Sequence, residues 1–460
     1  MILKLGCSEG FIATSSLAEG DTRETGLDYL LDNGLCIYKA ESKSIWPGTA
    51  SVTYSPIWLY KGKWQGLYDL DGKKVNGINA YLTEPGEVYG TPKRLKANTE
   101  LSFQGSIPNG KGFVISNDVA LALLEENPKN SDVIYPYLIG KELNIHPTHK
   151  PSQWIINFHD WPLSRETSPV GYSGPCAEDY PACLNIVREQ VYPERTRLKE
   201  NGEFKLRKPL PQKWWIYADK RPKLYTKLQS LSWALGIAAQ ATKHVAFAQV
   251  KGKCVYSHAL SLIVTDNYGI AGLLQSSIHE VWARQYAGNN LLLLRYSPTD
   301  VFDTFAFPEV DSSLVSIGRE YFKLRERLLI ENKVGLTAIY NKFHDPNECD
   351  EEIQSFRELQ IELDRSVVAA YGWGDLSLNH GFHEAKQGVC FTVSEDDRLK
   401  ILQRLLKLNH ERYEQEEITG KHSKAKITKQ VKSQSQTKKT RIIKSDDNIQ
   451  SGFDFGRVDE

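Results

Sequence analysis

The first sixty residues constrain this chain most, because their pattern belongs to a sheet too small to close on itself. Gly10-Phe11-Ile12-Ala13-Thr14-Ser15 reads as a buried strand. The polar turn Glu19-Gly20-Asp21 then starts a short helix, with Asp21 placed to cap it and Glu24 three residues on. Cys36 to Ala40 reads as a second strand, Trp46-Pro47-Gly48-Thr49 as a loop, and Val52 to Tyr60 as a third strand. Alternation of strand and helix belongs to an α/β sheet. Three strands and one helix cannot bury both faces of a parallel sheet. The expectation is an incomplete α/β unit, its remaining strands lying in another polypeptide or lost from a remnant.

At 460 residues the chain has room for about three domains. A net charge of zero excludes a uniformly basic nucleic-acid coat, but not a local basic groove. The cysteines (Cys7, Cys36, Cys176, Cys183, Cys254, Cys349, Cys390) are odd in number and scattered. The gap between Cys176 and Cys183 fits no zinc spacing, so reduced thiols and a cytoplasmic location are expected. No signal peptide, transit peptide or membrane span is visible, so no membrane partner is expected.

Gly and Asp turns take over from about Trp64 to Gly77. Residues 98–308 read as mixed and strand-rich: Phe113 to Ser116, Trp214 to Tyr217, Val245 to Ala248 and Ser261 to Val264 as strands, and Asp118 to Glu126 as a helix. The stretch from Ser164 to Pro181, with its Gly, Pro and Ser, reads as a functional or mobile loop. After Pro308 the spacing turns helical, through Leu314, Ile317, Tyr321, Leu324 and Leu328, then Ile353, Phe356, Leu363, Val367 and Tyr371. A further helix carries Leu399, Leu402 and Leu406, and Ser394 is placed to cap it. Between Lys421 and Lys444 lie nine Lys or Arg and no acid, which predicts a disordered tail.

Several short patterns are set aside on physical grounds. Gly105-x4-Gly110-Lys111 has phosphate-loop spacing, but Gly112 stands where a hydroxyl should meet Mg²⁺, and the loop leads into a strand, not a helix. His380-x2-His383 near Cys390 has no second close ligand pair and reads as structural. Glu203-x-Lys205 is a fragment of a nuclease motif without its acidic partner. Trp214, Trp215, Trp233 and Trp282 read as core.

A set of ordered fragments carries more. Residues 10 to 62 resemble the closing third of the catalytic fold in adenine-N6 DNA methyltransferases, above all the large MmeI-like type II restriction–modification enzymes. The likeness continues through Leu101-Ser102-Phe103-Gln104-Gly105-Ser106, Pro136-Tyr137-Leu138-Ile139-Gly140-Lys141-Glu142, Trp214-Trp215-Ile216-Tyr217 with Arg221-Pro222-Lys223-Leu224-Tyr225, and Leu274-Gln275-Ser276-Ser277. Tyr296-Ser297-Pro298-Thr299, Gly335-Leu336-Thr337, Tyr340-Asn341, Ala370-Tyr371-Gly372-Trp373 and Leu408-Asn409-x2-Arg412-Tyr413 complete it. Each fragment is weak alone; their order and spacing make the resemblance.

The resemblance implies an α/β segment, the incomplete end of a Rossmann-like methyltransferase fold (1–72), then a linker (73–97). An α+β target-recognition domain (98–308), a helical C-terminal region (309–415) and the basic tail (416–460) follow. It also implies double-stranded DNA as partner and S-adenosyl-L-methionine as cofactor of the complete enzyme. The family's glycine motif for that cofactor and its Asn-Pro-Pro-Tyr loop occur nowhere in these 460 residues. No catalytic residue is therefore assigned, the chain alone is expected to bind no cofactor, and an N-terminal methyltransferase half or subunit is the expected partner. Trp46 matches the place of a loop aromatic that stacks on a flipped base, or it packs the sheet edge. Side chains that suit groove edges and phosphates, Lys213, Lys220, Arg221, Lys223, Lys227, Gln240, Lys243 and Lys251, are the DNA-contact candidates, most of them to position and not to specify. A stand-alone DNA-binding specificity subunit serving another effector is the alternative.

Overall fold

The first sheet is organised around one antiparallel strand. The computed structural model describes residues 3–421 except 19, 43, 48, 50, 51, 86–90, 252, 291, 292, 386 and 387. Strand β1 (Ser8–Thr14) leads through short helical turns, Ser15–Ala18, Gly20–Arg23, Glu24–Asp28 and Tyr29–Asp32, into β2 (Leu35–Ala40). The turn Gly20–Arg23 already includes Asp21, so that residue sits inside the helix and not at its cap. Strands β3 (Ser44–Ile45) and β4 (Thr53–Lys61) follow, then β5 (Tyr68–Leu70) and β6 (Lys73–Val75). The order is β1-β4-β2-β5-β6, with β3 added on β4. Since β4 is antiparallel to both β1 and β2, those two run parallel with β4 between them. The Gly and Asp turns after Trp64 thus fold into the hairpin β5–β6, and the sheet runs past residue 72.

Alternation along these strands divides the sheet into two faces. Leu35, Ile37, Ala40, Ile57 and Leu59 pack under the helical turns with Leu27. The opposite face carries Ile12, Tyr54, Trp58 and Tyr60. There Tyr38 stacks on Trp64 at 4.4 Å, Trp64 meets Tyr60 edge-on at 5.2 Å, and Lys39 lies 4.8 Å from the Trp58 ring. Gly10 sits opposite Trp58, where a Cβ would stand 2.9 Å from the indole Cδ1. No other element of the described residues pairs with the outer edge of β1.

Two four-stranded sheets form the middle of the chain. They use β7 (Ser102–Gln104), β8 (Val114–Ile115), β9 (Ile134–Leu138), β10 (Gln153–Ile156), β11 (Ala234–Ala238), β12 (Ala248–Val250), β13 (Val255–Tyr256) and β14 (Leu260–Ile263). One has the order β13-β9-β10-β8, the other β12-β11-β14-β7. Helices α1 (Asn117–Glu126), α2 (Gly140–Ile145), α3 (Pro181–Gln190) and α4 (Pro222–Leu228) surround them. Gly105 and Gly112 are required by close packing: a Cβ would lie 2.2 Å from the Ser257 carbonyl oxygen at the first and 2.2 Å from Gln190 Cβ at the second.

Two segments expected as strands are not strands. Trp214 to Tyr217 forms turns, because the carbonyls of Lys213, Trp214 and Ile216 accept from the Arg195 guanidinium and not from a neighbouring strand. Of Val245 to Ala248 only Ala248 enters β12. The Val245 carbonyl accepts from Gln275 Nε2 at 2.8 Å, the Phe247 amide donates to Gln275 Oε1 at 3.0 Å, and the Phe247 carbonyl accepts from Arg325 Nη2. Buried side chains replace the ladder.

The helical part shares its core with the second of these sheets. It comprises α5 (Tyr268–Gln275), α6 (Ser277–Tyr286), the hairpin β15–β16 (Gly288–Asn290, Leu293–Arg295), α7 (Ser312–Glu331), α8 (Leu336–Phe343) and α9 (Glu351–Ala370). The hairpin β17–β18 (His380–Ala385, Gly388–Val393) and α10 (Glu395–Ile418), capped by Ser394, end it. Helices α5 and α7 meet backbone to backbone at Gly272 and Gly318. Asn409 on α10 accepts from the Lys93 amide (2.8 Å) and donates to the carbonyls of Lys93 (2.8 Å) and Thr304 (2.6 Å), which ties the segment after residue 90 to the core. Residues to Tyr413 make up one compact unit. The basic tail from residue 422 lies outside the described residues.

Candidate nucleic-acid interface

Four of the basic candidates fall at one corner, where α4 passes β7. Arg221 has a left-handed backbone (φ 53°) just before Pro222 opens α4. Its guanidinium donates to Gln104 Oε1 at 3.1 Å and pairs with Asp219 at 3.1 Å. Lys220 pairs with Asp160 at 2.6 Å. Lys223 pairs with Glu100, and Lys227 donates to the Glu100 carbonyl at 2.7 Å. Lys223 and Lys227 together hold the Glu100 carboxyl below the usual carboxylate range. Three carboxylates, Asp160, Asp219 and the shared Glu100, therefore offset most of the charge of these four cations. Such exposed pairs are weak, so a phosphate can displace the acids.

Lys213 stands apart from that corner. It ends an excursion, residues 196–213, whose two ends are held by Arg195. Arg195 is fully buried and donates to five carbonyls: Pro108, Asn109 (3.1 Å), Lys213 (3.2 Å), Trp214 (3.2 Å) and Ile216 (2.6 Å). Burial pushes its pKa down to about 10, which leaves it charged at neutral pH. The excursion itself is a small hairpin, with Lys199 N donating to the Glu203 carbonyl at 2.7 Å and Lys205 N to that of Arg197 at 2.8 Å. A cleft of about 400 Å³ separates its return limb (Lys205, Leu206, Arg207, Leu210) from Ile107, Asn109, Ala218 and Asp219. Of this region only Lys213 is among the DNA-contact candidates read from the sequence, with Glu203-x-Lys205 set aside as a nuclease-motif fragment. The signal available was six basic residues against two acids between two buried runs.

The other candidates are dispersed. Gln240 and Lys251 are exposed on the loops after β11 and β12. Lys243 donates to Asn341 Oδ1 at 2.7 Å, beside the stacked pair His244 and His344. Burial lowers these two histidines to about 3 and about 4, so they pack as neutral rings. His380 Nε2 donates to the carboxylate of buried Asp364 at 2.8 Å and braces the last hairpin. Among the described residues, no group of three or more His, Cys, Asp and Glu is placed to hold a metal, and no helix is long and apolar enough to cross a membrane.

Trp46 lies between β3 and β4, with its amide bonded to the Val52 carbonyl at 2.9 Å and its ring edge-on to Tyr54 at 5.3 Å. It is 45% exposed. Tyr54 is opposite Thr14, the last residue of β1, so Trp46 stands near the carboxyl ends of the parallel pair β1 and β2. That is the end of an α/β sheet at which ligands bind.

No family model matches this chain, and no curated protein does. Among solved structures, it is similar to the type IIL restriction–modification enzyme MmeI, determined in complex with DNA. The TM-score is 0.63 at 16% identity, over 88% of this chain and 50% of that one. The shared property is a fold: small sheets and helices in a mixed α/β arrangement. This chain spans about half the length of that structure's chain. A second structure, the type IIG restriction endonuclease BpuSI, aligns at a TM-score of 0.27 and 11% identity and adds nothing to the reading.

Proposed function

We propose that this chain is the DNA-recognition portion of a site-specific adenine-N6 DNA methyltransferase within a restriction–modification system. One observation carries the reading: the fold follows a restriction–modification enzyme solved on DNA over 88% of the chain. The open side of the first sheet supports the finer part. Its outer face keeps Ile12 64% exposed beside half-buried aromatics, and among the described residues nothing pairs with the outer edge of β1. An apolar face and a strand edge of that kind call for cover. A methyltransferase segment carrying the S-adenosyl-L-methionine motif and the Asn-Pro-Pro-Tyr loop supplies it, whether joined to this chain or separate. It continues the sheet beyond β1, and the flipped adenine sits at the strand ends against Trp46.

In this division of labour the cofactor segment provides the methyl group, and residues 98–308 choose the site. The test is reconstitution. The chain, a candidate segment with both motifs, and the two together are each assayed for methyl transfer to duplex DNA. Transfer is expected only from the pair. Robust turnover by this chain alone would refute the division, and a pair that binds DNA without methylating it would remove the methyltransferase part.

A further inference from the structure

The charge that these residues leave unpaired is concentrated away from the corner where most of the basic candidates gather. Lys220, Arg221, Lys223 and Lys227 each have an acidic partner. In residues 196–213 six Lys or Arg face two Glu, and the one ion pair found there among the described residues, Lys199 with Glu203, is loose at 3.7 Å. Lys205, Arg207, Lys208 and Lys213 are exposed, and their side chains have no hydrogen-bond or ion-pair partner among the described residues. The cross-strand neighbours Leu198 and Phe204, 52% and 39% exposed, add apolar surface to the same hairpin.

We propose that residues 196–213 form a DNA-gripping arm that takes phosphates of the duplex backbone through Lys205, Arg207, Lys208 and Lys213. The inference rests on the DNA reading above and specifies where the affinity comes from. Three features argue for it together. Leu206 and Leu210 face the body across the cleft, whereas the four basic side chains are exposed. The arm is held at both ends by one buried arginine, which fixes the backbone where the arm leaves and rejoins the body. And the charge of the four cations is not neutralised within the molecule, so a polyanion gains the full counterion-release term. The corner of Lys220 to Lys227 must first give up its carboxylates. Backbone contacts of this kind position a reader without carrying sequence information.

The experiment measures equilibrium binding of the intact chain to a fluorescent duplex from about 50 to 200 mM salt. The wild type is compared with an arm variant (Lys205→Gln, Arg207→Gln, Lys208→Gln, Lys213→Gln) and a body variant (Lys73→Gln, Lys323→Gln, Lys333→Gln, Lys407→Gln). Both variants remove four positive charges from exposed positions. With a slope near −0.9 per phosphate contact, the arm variant is expected to have a log–log salt slope shallower by about three to four. Between those salt concentrations the wild type then loses roughly a hundredfold more affinity than the arm variant. The body variant is expected to keep most of the wild-type slope, and all three proteins to melt alike. Equal losses in arm and body variants would overturn the arm while leaving DNA binding intact. A wild type that does not bind the duplex at all would overturn the DNA reading itself, and the arm with it.

Discussion

Replacing Arg195 by methionine keeps an unbranched apolar stem, shorter than that of arginine, and removes every donor. Five carbonyls lose a partner, and the bonds to Trp214, Ile216 and Pro108 are fully buried. Hydrogen bonds to a charged group contribute about 1.5–3 kcal/mol each, but the sum is not the cost, because the variant also relieves a desolvated guanidinium. A buried acceptor left without a donor costs roughly 1–3 kcal/mol, and three of the carbonyls are fully buried, so a net loss of about 4 kcal/mol is expected. Unfolding entropy is about 2.1 cal/mol/K per residue, so for a unit of 413 residues melting together, 4 kcal/mol lowers Tm by about 5 °C. The loss is local in origin. Residues 196–213 should open first, since Arg195 ties their entry to their exit. Scanning calorimetry gives the first quantity, and limited proteolysis with a Lys/Arg-directed protease gives the second, as faster cleavage between Arg197 and Lys213. An Arg195→Met protein that melts within 1 °C of wild type and is cleaved no faster there would refute the anchoring role.

Other expectations are independent of Arg195. Gly318→Ala places a Cβ 2.1 Å from the Tyr268 carbonyl oxygen and forces α5 and α7 apart, so a loss of about 1–3 kcal/mol is expected in chemical denaturation; an unchanged midpoint would contradict the close crossing. His244, His279 and His344 have folded-state pKa values lowered by burial to about 3, 3 and 4. The unfolded chain takes up their protons below about pH 6.5 while the folded one does not, so stability is full above that pH and falls as pH drops toward 4. The slope is up to ~1.4 kcal/mol per pH unit for each ring. Stability that stays flat from pH 7 to 4.5 would show these rings to be solvated. In the reconstituted methyltransferase, Trp46→Ala should lower transfer by roughly 5- to 150-fold, the equivalent of about 1–3 kcal/mol of stacking, with Trp46→Phe restoring part of it. An alanine variant at wild-type rate would leave Trp46 as an edge-packing residue.

The strands β1, β2 and β4 were legible because each alternates or runs apolar between turn residues. The order that sets β4 between the other two was not, since pairing is a long-range choice that local pattern does not encode. Trp214 to Tyr217 and Val245 to Phe247 misled for a different reason. An apolar run looks the same whether its carbonyls meet a strand or the side chain of Arg195, Gln275 or Arg325. The helices after residue 308 were readable from their period, and Ser394 does cap the last of them. That these helices share a core with the sheet before them was not readable, because Gly272 and Gly318 announce nothing until they face each other. Of the interface, the sequence shows which residues are basic but not which are already paired. Lys223 and Glu100 are 123 positions apart and meet only in the fold.

The direct measurement is selection from a pool of duplexes of random sequence by the intact chain, followed by sequencing of what is retained. Enrichment of one short motif is the expected result, surviving at salt concentrations that release the rest of the pool. Retention without any preferred sequence, or no retention at low salt, would contradict a DNA-reading role for residues 98–308.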